Sequence, residues 1–374
     1  MGGFNVLLNI NSGFRFTRND NRPINVISYS MWTLKTVCVT GAAGYIGSWL
    51  VRKLLQRGYV VHATLRNLGD ESKVEMLKKQ EGADERLRLF EADLYDADKF
   101  DLAVNGCDFV LLVATPLLHN PNSQYKNTTE ASLAALHNII SACERSKTVK
   151  RVIYTASVMS ASPRKEDDFS FKSSLDESCW TPLQCPFANE EEFSQDYIRS
   201  KTITEKEFLA YHTKSEKRRM EVVSLVCALV GGDGILQYLP GSVTAIISPL
   251  SCDHKRQYKM LKLLQETLGS IPLVHIDDVC EAHIFCMENE LNSNRFLCVS
   301  HWPVMQEIVD YYELKFPHAQ VLKEVEGGKI GIPCNSTKLL DLGFKYKYSM
   351  EEIIDGSVAY ATKMGRLSNL WFRK

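Results

Sequence analysis

Three glycines constrain this chain more than any other feature. In "VTGAAGYIGSW" they fall at Gly41, Gly44 and Gly47. Before them runs "KTVCVT", short, apolar and rich in β-branched residues; after them comes the amphipathic "SWLVRKLLQRG". A G-x-x-G-x-x-G spacing between a strand and a helix reads as a dinucleotide-binding turn rather than a purely structural one. Gly41 permits the tight turn. Gly44 leaves bare backbone where a pyrophosphate can approach, and Gly47 lets the helix close on the strand. The helix start then offers unpaired N–H groups and a partial positive charge to phosphates.

The pattern beyond this turn predicts a sheet around it. Further strands are expected at "YVVHATLR", "LRLFEADL", "CDFVLLVATP", "VKRVIYTAS" and "MEVVSLVCALVGG". Helical periodicity separates them, in "SKVEMLKKQEGA", "DADKFDLAVNG", "TTEASLAALHNIISACERSK" and "FSQDYIRSKTITEKEFLAYHTK". In the first helix Trp49, Leu50, Leu54 and Leu55 share a face, and Gly58 marks the stop. Nearly continuous apolar strands alternating with helices imply an α/β fold: a doubly wound parallel sheet of the Rossmann type. After Gly234 the alternation weakens, which predicts a smaller C-terminal substrate-binding lobe. The expected division is 35–233 for the dinucleotide-binding Rossmann domain and 234–374 mainly for the lobe, with segments returning to the sheet.

Residues 1–34 differ in composition. They are rich in Asn and carry Arg15, Arg18 and Arg22 against one acid, Asp20. They read as a disordered extension with Met31 as an alternative start; a transit peptide is the other reading. The formal net charge of −1 gives no field to recruit nucleic acid, and no apolar run is long enough to span a bilayer. The 11 cysteines show no C-x-x-C pair and no Cys/His spacing of a metal site, so reduced thiols in a cytoplasmic protein are expected. The sequons at Asn127 and Asn335 are then accidental.

The choice of nucleotide turns on the end of the second strand. An acid there holds the ribose hydroxyl in NAD binders. This chain has Arg66, with Lys73 seven residues on, and two cations suit the extra phosphate of NADP. Asp93 and Leu94 follow the third strand, where a carboxylate can accept from the adenine amino group while leucine backs the ring. Three further groups carry candidate chemistry. Ser157 ends the fifth strand, and "DYIRSK" puts Tyr197 and Lys201 four apart, on one helix face. An isolated tyrosine titrates near about 10, and a neighbouring ammonium is expected to lower that value. Tyr197 would then act as general acid in ketone reduction, Lys201 would also grip the nicotinamide ribose, and Ser157 would hold the carbonyl oxygen. His275, before two acids in "VHIDDV", is read as structural.

Taken together, "VCVTGAAGYIGSWLV", "ATLR", "EADL", "VATP", "SKTVKRVIYTAS", "DESCW", Y-x-x-x-K, "VHIDDVCEAHIF" and "STKLLDLGFKYKYSMEEI" resemble plant extended short-chain dehydrogenase/reductases. The similarity is to their dihydroflavonol 4-reductase branch and runs over residues 35–366. It implies an NADPH-dependent reductase with Ser157, Tyr197 and Lys201 as its triad and Arg66 and Lys73 on the 2′-phosphate. Tyr45 and Ile46 of the glycine turn, and Val113, Ala114 and Thr115 of "VATP", join the expected cofactor contacts. Departures cluster around the substrate. Ser162 stands where dihydroflavonol reductases place an asparagine, Cys227 and Asp233 replace two prolines, and Leu112 replaces a histidine. "SPRKEDDFSFKSSL" is a longer loop, and the string before Tyr197 disfavours a CoA thioester.

The expected function is reduction of a flavonoid-type or related aromatic ketone, in a monomer or homodimer with no metal. Two alternatives stay open: a sugar-nucleotide epimerase or dehydratase that retains NAD, and an NADP-binding protein without turnover.

Overall fold

The computed structural model describes residues 35–96, 99–116, 122–184, 192–214, 220–250, 255–291, 294–322 and 331–367. The expectations for residues 1–34 lie outside them. The elements run β1 (Thr36–Val39), α1 (Tyr45–Gln56), β2 (Val60–Leu65), α2 (Glu71–Lys78), α3 (Ala83–Arg86) and β3 (Leu87–Glu91). Then come α4 (Phe100–Val104), β4 (Phe109–Leu112), α5 (Thr128–Ser146), β5 (Arg151–Ser157), α6 (Glu192–Lys214), β6 (Glu221–Cys227) and β7 (Leu229–Gly231). The last third holds α7 (Gly241–Ile247), α8 (Lys255–Leu268), β8 (Leu273–His275), α9 (Ile276–Glu288), β9 (Asn294–Cys298), α10 (Met305–Lys315), α11 (Lys338–Asp341) and α12 (Met350–Lys363).

Among the described residues, seven strands form one sheet in the order β3-β2-β1-β4-β5-β6-β9, every pairing parallel. Their apolar runs explain why. All four residues of β4 are buried, as are Val37, Cys38 and Val39 of β1, so both faces must be covered. Helices α4, α5 and α6 pack side by side in one layer, and α1 packs with α9 in another. The periodic face of α1 is buried as its spacing predicts. Asn127 has a local role as the cap of α5, its side chain accepting from the Glu130 N–H at 2.9 Å. Strand order reverses between β1 and β4, the place where ligands enter such sheets.

Two strands differ from expectation. "MEVVSLVCALVGG" reads as one strand, but it splits at Ala228. The Ala228 N–H still donates to Cys298 O at 3.1 Å, whereas the Leu229 N–H turns to Pro272 O at 2.9 Å. The backbone thus leaves β9 and passes to β8, and β7–β8 form a separate two-stranded sheet. β9 itself is absent from the sequence expectation. Asn294 and Arg295 interrupt its apolar run, and Arg295 is buried there by a charged partner rather than by hydrophobicity.

Candidate active site

The glycine turn is built as its sequence demands. Gly41 has φ +65°, and a Cβ there would sit 3.0 Å from the Ala114 side chain. A Cβ on Gly47 would lie 2.3 Å from the Gly41 carbonyl oxygen, so α1 can start this close to β1 only without one. Gly44 is different, since its Cβ would meet only Gly41 O at 3.3 Å. Its bare backbone faces open space at the start of α1, a cradle that fits a pyrophosphate. Thr40, which sequence reasoning missed, ties the turn to the neighbouring strand: its hydroxyl accepts from the N–H groups of Val113 and Ala114, both at 3.0 Å. A threonine immediately before the first glycine was the available signal.

A cleft of about 1030 Å³ opens along the carboxyl ends of the strands. Gly41, Gly44, Tyr45, Ile46, Gly47, Arg66, Lys73, Asp93, Leu94, Val113, Ala114 and Thr115 line it, together with Ser157, Tyr197 and Lys201. At its β2 end the Arg66 side chain is 77% exposed, with its Nε 3.6 Å from Asp93. Such a long, weak pair leaves the guanidinium able to meet a phosphate. Lys73 is more constrained. Asp70, the N-cap of α2, accepts from its ammonium at 2.5 Å and from its backbone N–H at 3.3 Å. A phosphate therefore competes with Asp70 for Lys73.

At the other end, Ser157 closes β5, and Tyr197 and Lys201 project from α6. The Ser157 and Tyr197 side chains are hydrogen-bonded to each other. The Lys201 ammonium donates to Thr115 Oγ1 at 2.8 Å and to Thr155 O at 3.2 Å, and lies 5.2 Å from the Tyr154 ring centroid. Burial lowers the Lys201 ammonium to about 8, opposed by Cys227 and Glu205. The Tyr197 phenol does not follow the expectation of a lowered value. Burial pushes it up, and its bond to Ser157 only partly offsets that. The physical reason is desolvation of the buried phenolate, which outweighs the Ser157 bond, while two of the Lys201 donors go to Thr115 and Thr155.

The departures noted in the sequence separate on inspection. Cys227 lines the cleft. Ser162 does not; it is fully buried, donates to Thr267 O and accepts from the Arg164 N–H at 3.2 Å. Leu112 is buried in β4. Asp233 presents its carbonyl to the Tyr45 hydroxyl at 2.9 Å, pinning the mouth of the glycine turn. His275 caps α9, accepting from the Asp277 N–H at 3.1 Å, and stacks on Tyr348 at 3.6 Å; it does not line the cleft. Sequence reasoning also missed the apolar wall of the cleft: Tyr238, Met260, Leu263 and Leu264. These residues carry no motif, and only tertiary packing brings them there. Among the described residues no cluster of His, Cys, Asp and Glu is arranged to hold a metal, and no helix is long and apolar enough to cross a membrane.

Comparison with known proteins agrees with this fold. The model of a family described as "NAD dependent epimerase/dehydratase family" matches residues 37–298. An anthocyanidin reductase of Arabidopsis thaliana is 32% identical over 336 residues, spanning 88% of this chain and 96% of its own. A dihydroflavonol 4-reductase of the same plant is 33% identical over 336 residues, spanning 89% of this chain and 84% of its own. The crystal structure of vestitone reductase from alfalfa superposes with a TM-score of 0.70 at 31% identity, covering 89% of this chain and 99% of that one. The resemblance read from the motifs is borne out.

Proposed function

The chain belongs to the NAD dependent epimerase/dehydratase family, and within it we propose an NADPH-dependent reductase of a flavonoid-type or related aromatic ketone. The observation that carries this reading is that Ser157, Tyr197 and Lys201 meet in one cleft with the glycine turn and Arg66. Names of the relatives, reductases of flavonoid-type compounds, support the substrate class. Residues 35–233 would form the cofactor domain and 234–374 mainly the substrate lobe, with segments such as β9 returning to the sheet.

In this reading the Gly41–Gly47 turn and the start of α1 hold the pyrophosphate, with Tyr45 and Ile46 beside it. Arg66 and Lys73 take the 2′-phosphate. Asp93 and Leu94 flank the adenine, and Val113, Ala114 and Thr115 back the rest of the nucleotide. Bound NADPH supplies a hydride to the carbonyl carbon. Ser157 donates a hydrogen bond to the carbonyl oxygen, where negative charge develops. Tyr197, kept protonated by burial, gives its phenolic proton to that oxygen. Lys201 grips the ribose and presents positive charge to the phenolate left behind. The exposed cation at the tip of β2 disfavours an NAD-retaining epimerase.

Replacing Tyr197 with Phe tests the assignment. Turnover of an accepted ketone should vanish while NADPH still binds. Wild-type turnover in that variant would overturn the role given to Tyr197.

A further inference from the structure

A buried charge pair lies beside the catalytic groups and has no part in the proposed reaction. Glu205 is 0% exposed and Arg295 5%, and neither lines the cleft. Glu205 follows Lys201 by one helical turn and Tyr197 by two on α6. Its carboxylate accepts from Arg295 Nε at 2.7 Å and Nη2 at 3.2 Å, and from the Ser224 hydroxyl at 2.6 Å. The Ser160 hydroxyl reaches the same carboxylate and also Ser157 O at 2.7 Å. Arg295 is held in turn by the carbonyls of Glu177 and Cys179, at 2.9 and 2.5 Å, and stacks 3.7 Å from the Trp180 ring. One carboxylate therefore joins α6, the turn leaving β5, β6 and β9.

Buried ion pairs are often replaceable by apolar residues without loss of stability, so stability alone does not account for this one. What the pair does is geometric. Ser157 comes from β5, and Tyr197 and Lys201 come from α6. Ser160–Glu205 is a side-chain bridge between those two segments just behind the triad. We propose that Glu205, with Arg295 as its counter-ion, is a positioning residue that holds the Ser157–Ser160 segment onto α6 and so keeps the three catalytic groups in register. This rests on the reading of the triad given above.

The bridge has an electrostatic side. Lys201 is faced by Glu205 from its own helix, on which Tyr197 lies one turn before it, by Tyr154 and Thr155 O from β5, by Thr115 after β4 and by Cys227 from β6. His283 of α9 bonds the Thr155 hydroxyl at 2.8 Å, whereas the ammonium bonds the Thr155 carbonyl, and burial lowers that imidazole to about 4, leaving it neutral. Among these, Cys227 and then Glu205 favour the ammonium. Removing its charge alone would leave Arg295 unpaired nearby and make the ammonium easier to lose.

The test compares Glu205→Gln with the charge-balanced double variant Glu205→Gln/Arg295→Met. Both should lose kcat by about 10- to 100-fold per folded molecule, the cost of a displaced catalytic group, with NADPH affinity unchanged. The alkaline limb of the kcat profile should move to lower pH in the single variant and stay near wild type in the double. A folded double variant with wild-type kcat would overturn the proposal. So would a loss in both variants that the unfolded fraction fully explains. A crystal structure of the double variant decides independently of turnover: the Ser157–Tyr197 hydrogen bond should be broken, and finding it intact would sink the idea. Should the wild type reduce no carbonyl, the functional reading fails, and that distance still answers this question.

Discussion

Gly44 and Gly47 belong to one turn but do different jobs, and replacing each with alanine separates them. At Gly47 the new methyl would sit 2.3 Å from Gly41 O and 3.0 Å from Ala42 Cα. Both are backbone atoms, so no side chain can swing away. The start of α1 must back off by about 1 Å to restore ordinary contact. Overpacking of this kind costs about 1–3 kcal/mol. In a domain of this size each kcal/mol lowers the melting midpoint by roughly 2–4 °C or somewhat less, so a fall of several degrees is expected. The same displacement moves the N–H groups that face the phosphates, so NADPH affinity should fall as well. At Gly44 the methyl would meet only Gly41 O at 3.3 Å, and its backbone is extended, with φ −85°. Gly44→Ala should therefore melt within about a degree of wild type while losing NADPH affinity, because the methyl stands where the pyrophosphate approaches. Thermal unfolding followed by far-UV circular dichroism, paired with NADPH fluorescence titration, reads both quantities. A Gly47→Ala protein that melts and binds like wild type would refute the reasoning. Equal destabilisation by the two substitutions would do the same.

Other consequences are quicker to state. Arg66→Ser should weaken NADPH binding by about 10- to 100-fold, the worth of a charge-assisted contact to phosphate, and leave NADH binding unchanged; equal losses for both nucleotides would remove Arg66 from the 2′-phosphate. Burial holds the Lys201 ammonium at about 8, below its ordinary value, and holds the Tyr197 phenol above its own. The ammonium is thus present below about pH 8 and lost as pH rises through it, while Tyr197 stays protonated. The kcat for ketone reduction should follow, level below that point and falling above it; a profile that rises there would contradict the roles given to both. Lys147 ends α5 with φ 58°, a left-handed conformation that costs a residue with a Cβ. Lys147→Gly should raise unfolding stability by up to about 1 kcal/mol in denaturant titration, and a loss would show that the Lys147 side chain contributes there.

Local chemistry made the cofactor half of the molecule legible in the sequence. Glycine spacing, apolar strands and Arg66, the residue just after β2, each act over a few positions, and the cleft gathers the turn, the strand ends and that cation. The break at Ala228 was not legible, because "SLVCALVGG" is apolar throughout and only a choice between two partners, β9 and β8, divides it. The upward shift of Tyr197 was hidden too. Sequence spacing puts Lys201 on the same helix face, but it does not reveal that Thr115 and Thr155 take the ammonium's hydrogen bonds. Ser162 marks a third limit. Counting five residues from Ser157 suggests a cleft position, yet the turn after β5 carries that side chain inward to Thr267.

Consumption of NADPH against dihydroflavonols, anthocyanidins, isoflavanones and cinnamaldehydes, with every product identified, bears most directly on the central claim. At least one aromatic carbonyl should be converted to its alcohol or reduced ring by the wild type and by none of the Tyr197→Phe protein. Tight NADPH binding with no carbonyl reduced across the panel would contradict it.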